Sequence, residues 1–382
     1  MAEAIQAADK FSELQQSSQA LLAEFEAKRQ RLCEHMASSG LAAVQLQRTE
    51  NIAWLTAGRV DRRVLLPSPL GIATILVLRD GDAFYLAPDN EGRRLAEEDF
   101  AGLPFTAITA PWHAADFAAE IRSLAGDGRI AADTTTEGGA LLLGQRASLT
   151  HTEVERYRWL GRNTAQVTGS VLQSLQPGVT ERTMAARIAG GLLERGIEPS
   201  VLLMAADDRI LRYMHAVAQN ATLKHFGMLN LCSRRWGLSI SITRFVHFGP
   251  MPQRLVDAFA VAAEVNARLI AATNVDVTSA ELFATAADTY ASLGHLGEEQ
   301  RHHQGGATGY SEREWLATPA GKKRVVNMQA FAWNPSVAGG KVEDTVLLLD
   351  GAIESLTGTP DLPVVSTRAG DRIVESAGVL VR

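Results

Sequence analysis

Residues 228–249 read MLNLCSRRWGLSISITRFVHFG, two runs of alternating apolar residues around a basic, glycine-containing turn. The pattern predicts a β-hairpin. Side chains alternate between the faces of a strand, so Asn230 and Cys232 share one face, as do Ser239 and Ser241. A core strand favours Val and Ile at such places. Small polar groups there fit instead a wet pocket that can donate and accept hydrogen bonds. Further chemistry-bearing residues stand elsewhere: His215 in RYMHAVAQN, His302-His303 ahead of Gln304-Gly305-Gly306, and Glu343-Asp344 in VEDTVLL. A histidine with a pKa near neutrality can act as a general base if a partner fixes its tautomer, and Glu343 is an available acid. A thiol or hydroxyl beside that base would be a nucleophile candidate, Cys232 ahead of Ser241.

The elements that must position these residues follow from periodicity. Residues 10–39 read as a helix closed by Ser38-Ser39-Gly40. LAAVQLQ, NIAWLTA, ATILVL, AFYLAP and DGRIAAD read as strands, with RDGD at 79–82 as a hairpin turn. Helical EGRRLAEED and AADFAAEIRSLAG lie between them, so roughly 35–148 is α/β with a mixed sheet. From His151 the texture changes to long amphipathic helices: HTEVERYRWLGRNTAQVTGSVLQSL, then TERTMAARIAGGLLERG stopped by Gly196. After the hairpin come MPQRLVDAFAVAAEVNARLIAAT and SAELFATAADTYASLG, also helical. Helix–helix–hairpin followed by helix–helix–strands suggests two duplicated halves. The expected domains are 1–150 and 151–382, with the boundary inside 145–152.

Composition narrows the function class. The 382 residues carry 37 Lys and Arg against 43 Asp and Glu, a net charge of −6, with 46% hydrophobic residues. Nothing in this balance favours nucleic acid or an anionic membrane. Two cysteines, Cys33 and Cys232, form no disulfide framework and point to a reducing compartment. The polar N-terminal stretch lacks the pattern of a secretory signal, and no apolar run is long enough to span a bilayer. A cytoplasmic location is the expectation.

The order of these segments resembles the pita-bread superfamily of aminopeptidase P, prolidase, methionine aminopeptidase and creatinase, over about 151–356. The preceding domain is similar in size and place to the N-terminal α/β domain of creatinase and prolidase. The implied fold class is therefore α/β (α+β), a creatinase-like N-terminal domain followed by a pita-bread domain. In metal-dependent members, two divalent ions are held by two Asp, a His and two Glu. By position, Asn230 stands for the first Asp and Ser241 for the second, in Ser241-Ile242-Thr243-Arg244. The His corresponds to His303, although His302 fits nearly as well. Asn334, in Trp333-Asn334-Pro335, replaces the penultimate Glu, and Glu343 keeps the last. A dinuclear centre with one carboxylate and one imidazole leaves most of its charge uncompensated, so no metal and no other cofactor is expected.

Creatinase shares the fold and hydrolyses a C–N bond at a guanidino-type carbon without metal, using a histidine before the hairpin. That position is His215. The resemblance implies catalytic roles for His215, His303 and Glu343, and substrate contact by Asn230, Ser241, His302, Tyr310, Asn334 and Cys232. Arg244 is expected to be structural. The expected function is a metal-independent hydrolase acting on a small polar, nitrogen-containing substrate, in a homodimer. The alternatives are a non-catalytic pita-bread binding protein and an Xaa-Pro-type metallopeptidase or lyase with an unconventional metal site.

Overall fold

Helix α1, Ser18–Ser39, opens the part of the chain that the computed structural model describes, residues 18–61 and 64–382. Residues 10–17 of the expected first helix lie outside the described residues. The helix ends at Gly40, whose φ of +67° is the left-handed conformation that glycine adopts without a Cβ clash. Five strands follow: β1 Leu41–Arg48, β2 Leu70–Leu78, β3 Ala83–Pro88, β4 Thr106–Ala110 and β5 Arg129–Ala132. They form one mixed sheet in the order β4-β3-β2-β1-β5, with β1 parallel to β5 and antiparallel to β2. Ala43, Leu76, Leu86 and Ile121 form the core of this sheet and its covering helix.

One expected strand is corrected. NIAWLTA belongs to the helix Thr49–Leu55, where Glu50 through Leu55 are all buried. Burial on every side removes the amphipathic signature, and a short apolar run then looks the same as a buried strand.

The chain divides after Arg146 into two compact units, the second being Ala147–Arg382. Helix α2, His151–Ser174, starts the second unit with a capping box between Thr150 and Glu153. The Thr150 hydroxyl accepts from the Glu153 amide at 3.2 Å, and the Glu153 carboxylate accepts from the Thr150 amide at 2.6 Å. Thr150→Ala is expected to cost about 1 kcal/mol in denaturant unfolding. Helix α3, Glu181–Leu193, is capped by Thr180, and the chain turns away at Gly196.

Strands β6 Glu198–Ala206, β7 Phe226–Arg235 and β8 Leu238–His247 come next. Helices α4, Gln253–Ala272, and α5, Ser279–Ser292, precede a second set of strands. These are β9 Gly305–Thr308, β10 Trp315–Leu316, β11 Gln329–Trp333, β12 Ser336–Val337, β13 Gly340–Lys341, β14 Asp344–Leu349 and β15 Ala352–Ser355. Strands β16 Val364–Ala369, β17 Arg372–Ala377 and β18 Leu380–Val381 complete the chain. The two main sheets are ordered β18-β8-β7-β6 and β10-β9-β11-β14-β15. Two long helices followed by antiparallel strands therefore occur twice. Val265, Leu269, Leu282, Phe331 and Trp333 join α4 and α5 to the second sheet in one apolar core.

The opening hairpin turns through Trp236 and Gly237, both at positive φ (+56° and +80°). That is the geometry of a tight two-residue hairpin turn matched to strand twist. It pairs Cys232 with Ser241 and Asn230 with Thr243, so these four side chains share one face. The two sheets meet at β8. The Thr243 amide donates to the Glu343 carbonyl at 3.1 Å, and the Ser241 amide donates to the Thr345 hydroxyl at 2.9 Å. Glu343 thereby comes against the polar face of the hairpin.

Candidate active site

Glu343 is 2% exposed, and every carboxylate contact it makes is with a donor. Its Oε2 accepts from Asn230 Nδ2 at 2.6 Å and from the Thr243 hydroxyl at 2.6 Å. Lys341 Nζ lies 3.0 Å from the same oxygen, and Arg313 Nη2 donates to Oε1 at 3.1 Å. Burial alone would raise this carboxyl's pKa, but the Lys341 and Arg313 charges and the Thr243 hydrogen bond outweigh it and hold it at about 2. Glu343 is thus an ionised anchor at neutral pH, with no proton to trade.

Lys341 reaches this position from β13, two residues before Glu343 and on a tight turn with β12. The turn fits because residue 340 is glycine: a Cβ there would stand 2.4 Å from the Ala258 backbone of α4. Arg313 bridges the site, since its Nη1 donates to Ser241 Oγ at 2.9 Å. Ser241 Oγ in turn lies 3.2 Å from Cys232 Sγ. Burial, first, and then the Glu343 charge raise the Cys232 thiol to about 11, which leaves it protonated and a poor nucleophile.

The histidines form a second group. His302 Nε2 lies 3.1 Å from His215 Nε2, and the His303 ring lies beside that of His302, tilted by 31° with centroids 4.4 Å apart. Burial, Lys341 and the neighbouring imidazoles lower His302 to about 3. Burial, Arg313 and Lys341 lower His303 to about 4. His215 is lowered from 6.5 by burial and then by Lys341, although it is exposed to solvent. All three are neutral near pH 7. The bond that orients His215 comes from His302 and not from Glu343.

The structure thus brings together Asn230, Cys232, Ser241 and Glu343 in one hydrogen-bonded group, with His215, His302 and His303 in another. Asn334 is 2% exposed; its amide nitrogen on the main chain donates to Gln304 O at 3.0 Å, and its side-chain Oδ1 has no hydrogen-bond partner. Tyr310 does not join them. Its buried hydroxyl donates to Glu153 at the start of α2, so the phenol supports a helix end. Sequence reasoning missed Lys341, Arg313 and Thr243. Strand alternation could have flagged Lys341, two positions from Glu343, and Thr243, two from Ser241. No sequence signal brings Arg313 to the site.

The profile of metallopeptidase family M24 matches residues 155–350, just over half of the chain. The chain belongs to this family. The likeness to solved structures extends over both units. An Xaa-Pro dipeptidase from Bacillus anthracis superposes with a TM-score of 0.73 at 14% identity, covering 94% of this chain and 100% of that one. An X-Pro aminopeptidase from Thermotoga maritima gives 0.70 at 15% identity, covering 93% and 99%. The N-terminal domain of the FACT complex subunit SPT16 from Cicer arietinum gives 0.64 at 11% identity, covering 90% and 97%. No curated protein sequence matches the chain. Among the described residues, no helix is long and apolar enough to cross a membrane.

The M24 dinuclear centre does not fit these residues. The one carboxylate left from the family set is already neutralised by the buried Lys341 and the partly buried Arg313, and Asn230 turns its NH2 group toward it. Divalent ions placed there would face an ammonium and a guanidinium at contact distance, with neutral Asn and Ser in place of carboxylates.

Proposed function

We propose that this M24 protein is a metal-independent hydrolase of a C–N bond, of amide, amidine or guanidine type, in a small polar nitrogen-containing substrate. The observation that carries this reading is the pair Lys341 and Arg313 on Glu343, fixed positive charge where the family places divalent ions. Neutral His215, solvent-accessible and oriented by His302, takes a proton from water as the water oxygen attacks the electrophilic carbon. With an amide, the negative charge developing on the carbonyl oxygen is stabilised by the Lys341–Arg313 field, whereas attack on a cationic amidine or guanidine gives a neutral adduct. The C–N bond then breaks and the imidazolium returns its proton to the leaving nitrogen. The unpartnered Asn334 Oδ1 is an acceptor for a substrate N–H.

Chelator-treated protein is expected to turn over at least one member of a panel of amides, amidines and guanidines. His215→Ala should lower kcat by about 10²–10⁴-fold. Turnover that appears only on adding a divalent metal would overturn the reading. The pH profile supplies a separate check. The base form of His215 is needed, and its pKa is lowered, so kcat/KM should fall on acidification with an inflection below 6.5. An inflection above 6.5, or one that persists in His215→Ala, contradicts the assignment.

A second reading is a binding module without turnover. It is favoured by Glu343, which is saturated with donors and has no proton to exchange. No turnover across the panel, with ligand binding that His215→Ala weakens, would support it. We further propose a homodimer in the cytoplasm with a small-molecule ligand, in keeping with the two free thiols Cys33 and Cys232. Sedimentation as a monomer at micromolar concentration would contradict the dimer.

A further inference from the structure

We propose that His215, His302 and His303 form a seat for a single nitrogen-preferring divalent cation, Zn²⁺, Cu²⁺ or Ni²⁺, built from histidines alone and without the carboxylates of the family's centre. Their candidate ligand nitrogens all lie within 4.8 Å of one another. The two Nε2 atoms of His302 and His215 are 3.1 Å apart. Two nitrogens bound to one tetrahedral ion at about 2.05 Å would stand about 3.3 Å apart. The three rings arrive from two separate segments, one after the short helix Asp208–Arg212 and one after the turn Glu298–Gln300. Such convergence on one point is the arrangement of a three-histidine site with an open fourth position, and the exposed edge of His215 supplies that opening.

One hydrogen bond must open for the seat to fill: one Nε2 of the His302–His215 pair carries the proton between them, and that proton moves to Nδ1 of the same ring when both Nε2 atoms bind the ion. The Nδ1 atoms of His302 and His303 are buried and have no partner.

Charge sets which ion is accepted. Lys341, Arg313 and Glu343 sum to +1 near the rings, and no carboxylate belongs to the trio. Hard ions such as Mg²⁺, Ca²⁺ and Mn²⁺ depend on anionic oxygen and are rejected. Cu²⁺, Ni²⁺ and Zn²⁺ bind neutral imidazole well enough to overcome the opposing field. An ion on His215 occupies the lone pair that takes the water proton. If the hydrolase reading holds, the seat is therefore an inhibitory one.

The test needs no substrate, so its failure is separate from failure of the hydrolase reading. Full-length protein stripped with EDTA is titrated with Co²⁺ and followed by its visible ligand-field absorption. One equivalent is expected to bind, to be displaced by Zn²⁺ and to be unaffected by excess Mg²⁺ or Ca²⁺. Cu²⁺-loaded protein should show imidazole nitrogen couplings in electron paramagnetic resonance. His302→Gln and His303→Gln keep the bulk and polarity of the loop, and each should weaken Co²⁺ binding by more than the ~10–100-fold typical of losing a supporting group around a metal. Near-ultraviolet circular dichroism checks that these variants stay folded. Absence of a protein-dependent band with wild-type protein, or no nitrogen coupling with Cu²⁺, overturns the proposal. So does a band that survives in the His215→Ala/His302→Ala double variant.

Discussion

Glu343→Ala is expected to destabilise the protein by about 3 kcal/mol, because it strands the buried Lys341 ammonium and the partly buried Arg313 guanidinium. Lys341 and Arg313 have side chains 8% and 16% exposed, and Glu343 is the shared counter-ion of both. The Asn230 amide and the Thr243 hydroxyl lose their acceptor in the same step. Glu343→Gln keeps an acceptor and the volume but removes the charge, so its loss should be smaller than that of Ala. Adding Lys341→Met to Glu343→Ala should recover part of the loss, since one of the unpaired charges is then gone. Denaturant unfolding of the two single variants and the double variant measures this coupling. A loss below about 1 kcal/mol for Glu343→Ala would mean that both cations swing to water and that the site is soft.

Arg244→Ala should cost a comparable amount, about 3–5 kcal/mol, for a different reason. Arg244 is a buried clamp between β8 and the chain around β14. Its Nη2 donates to Asp344 Oδ1 at 2.6 Å and to Thr357 O at 2.7 Å, its Nη1 donates to Thr243 O at 2.7 Å, and its Nε donates to Thr359 Oγ1 at 2.8 Å. Alanine leaves the Asp344 charge and two carbonyls without these partners, along with a cavity. Arg244→Lys keeps the charge but cannot reproduce the planar fork, so most of the loss should remain. Urea unfolding reads both variants. Full retention of stability in Arg244→Lys would show that charge alone holds the seam.

Much of this arrangement was legible in the sequence because its causes are local. Alternation and the Trp236-Gly237 turn determine the hairpin register, and with it the shared face of Asn230, Cys232 and Ser241. Thr150, Thr180 and Thr278 announce helix starts through their hydroxyls. The family pattern marks Asn230, Ser241, Asn334 and Glu343 as residues at ligand positions. What stayed hidden depends on long-range meeting. Arg313 and Glu343 are 30 positions apart in a region of short strands and loops, where periodicity is weak. The resemblance places Tyr310 among substrate contacts, but a family position does not say which way a phenol turns; packing sends its hydroxyl to Glu153. NIAWLTA failed because a helix buried on all sides has no face to advertise.

The β12–β13 turn that delivers Lys341 also sets a barrier to building a dinuclear metal centre here. Changing Asn230 and Ser241 to Asp and Asn334 to Glu would supply the carboxylates of the family set, yet Lys341 and Arg313 would compete for them with any ion. Removing the two cations beforehand leaves Glu343 buried without its counter-ions, and keeping them leaves no room for a dication. Stepwise installation of the family's full ligand set therefore passes through intermediates that fit neither electrostatic solution. A designer seeking the metal enzyme would have to exchange all five residues in one step.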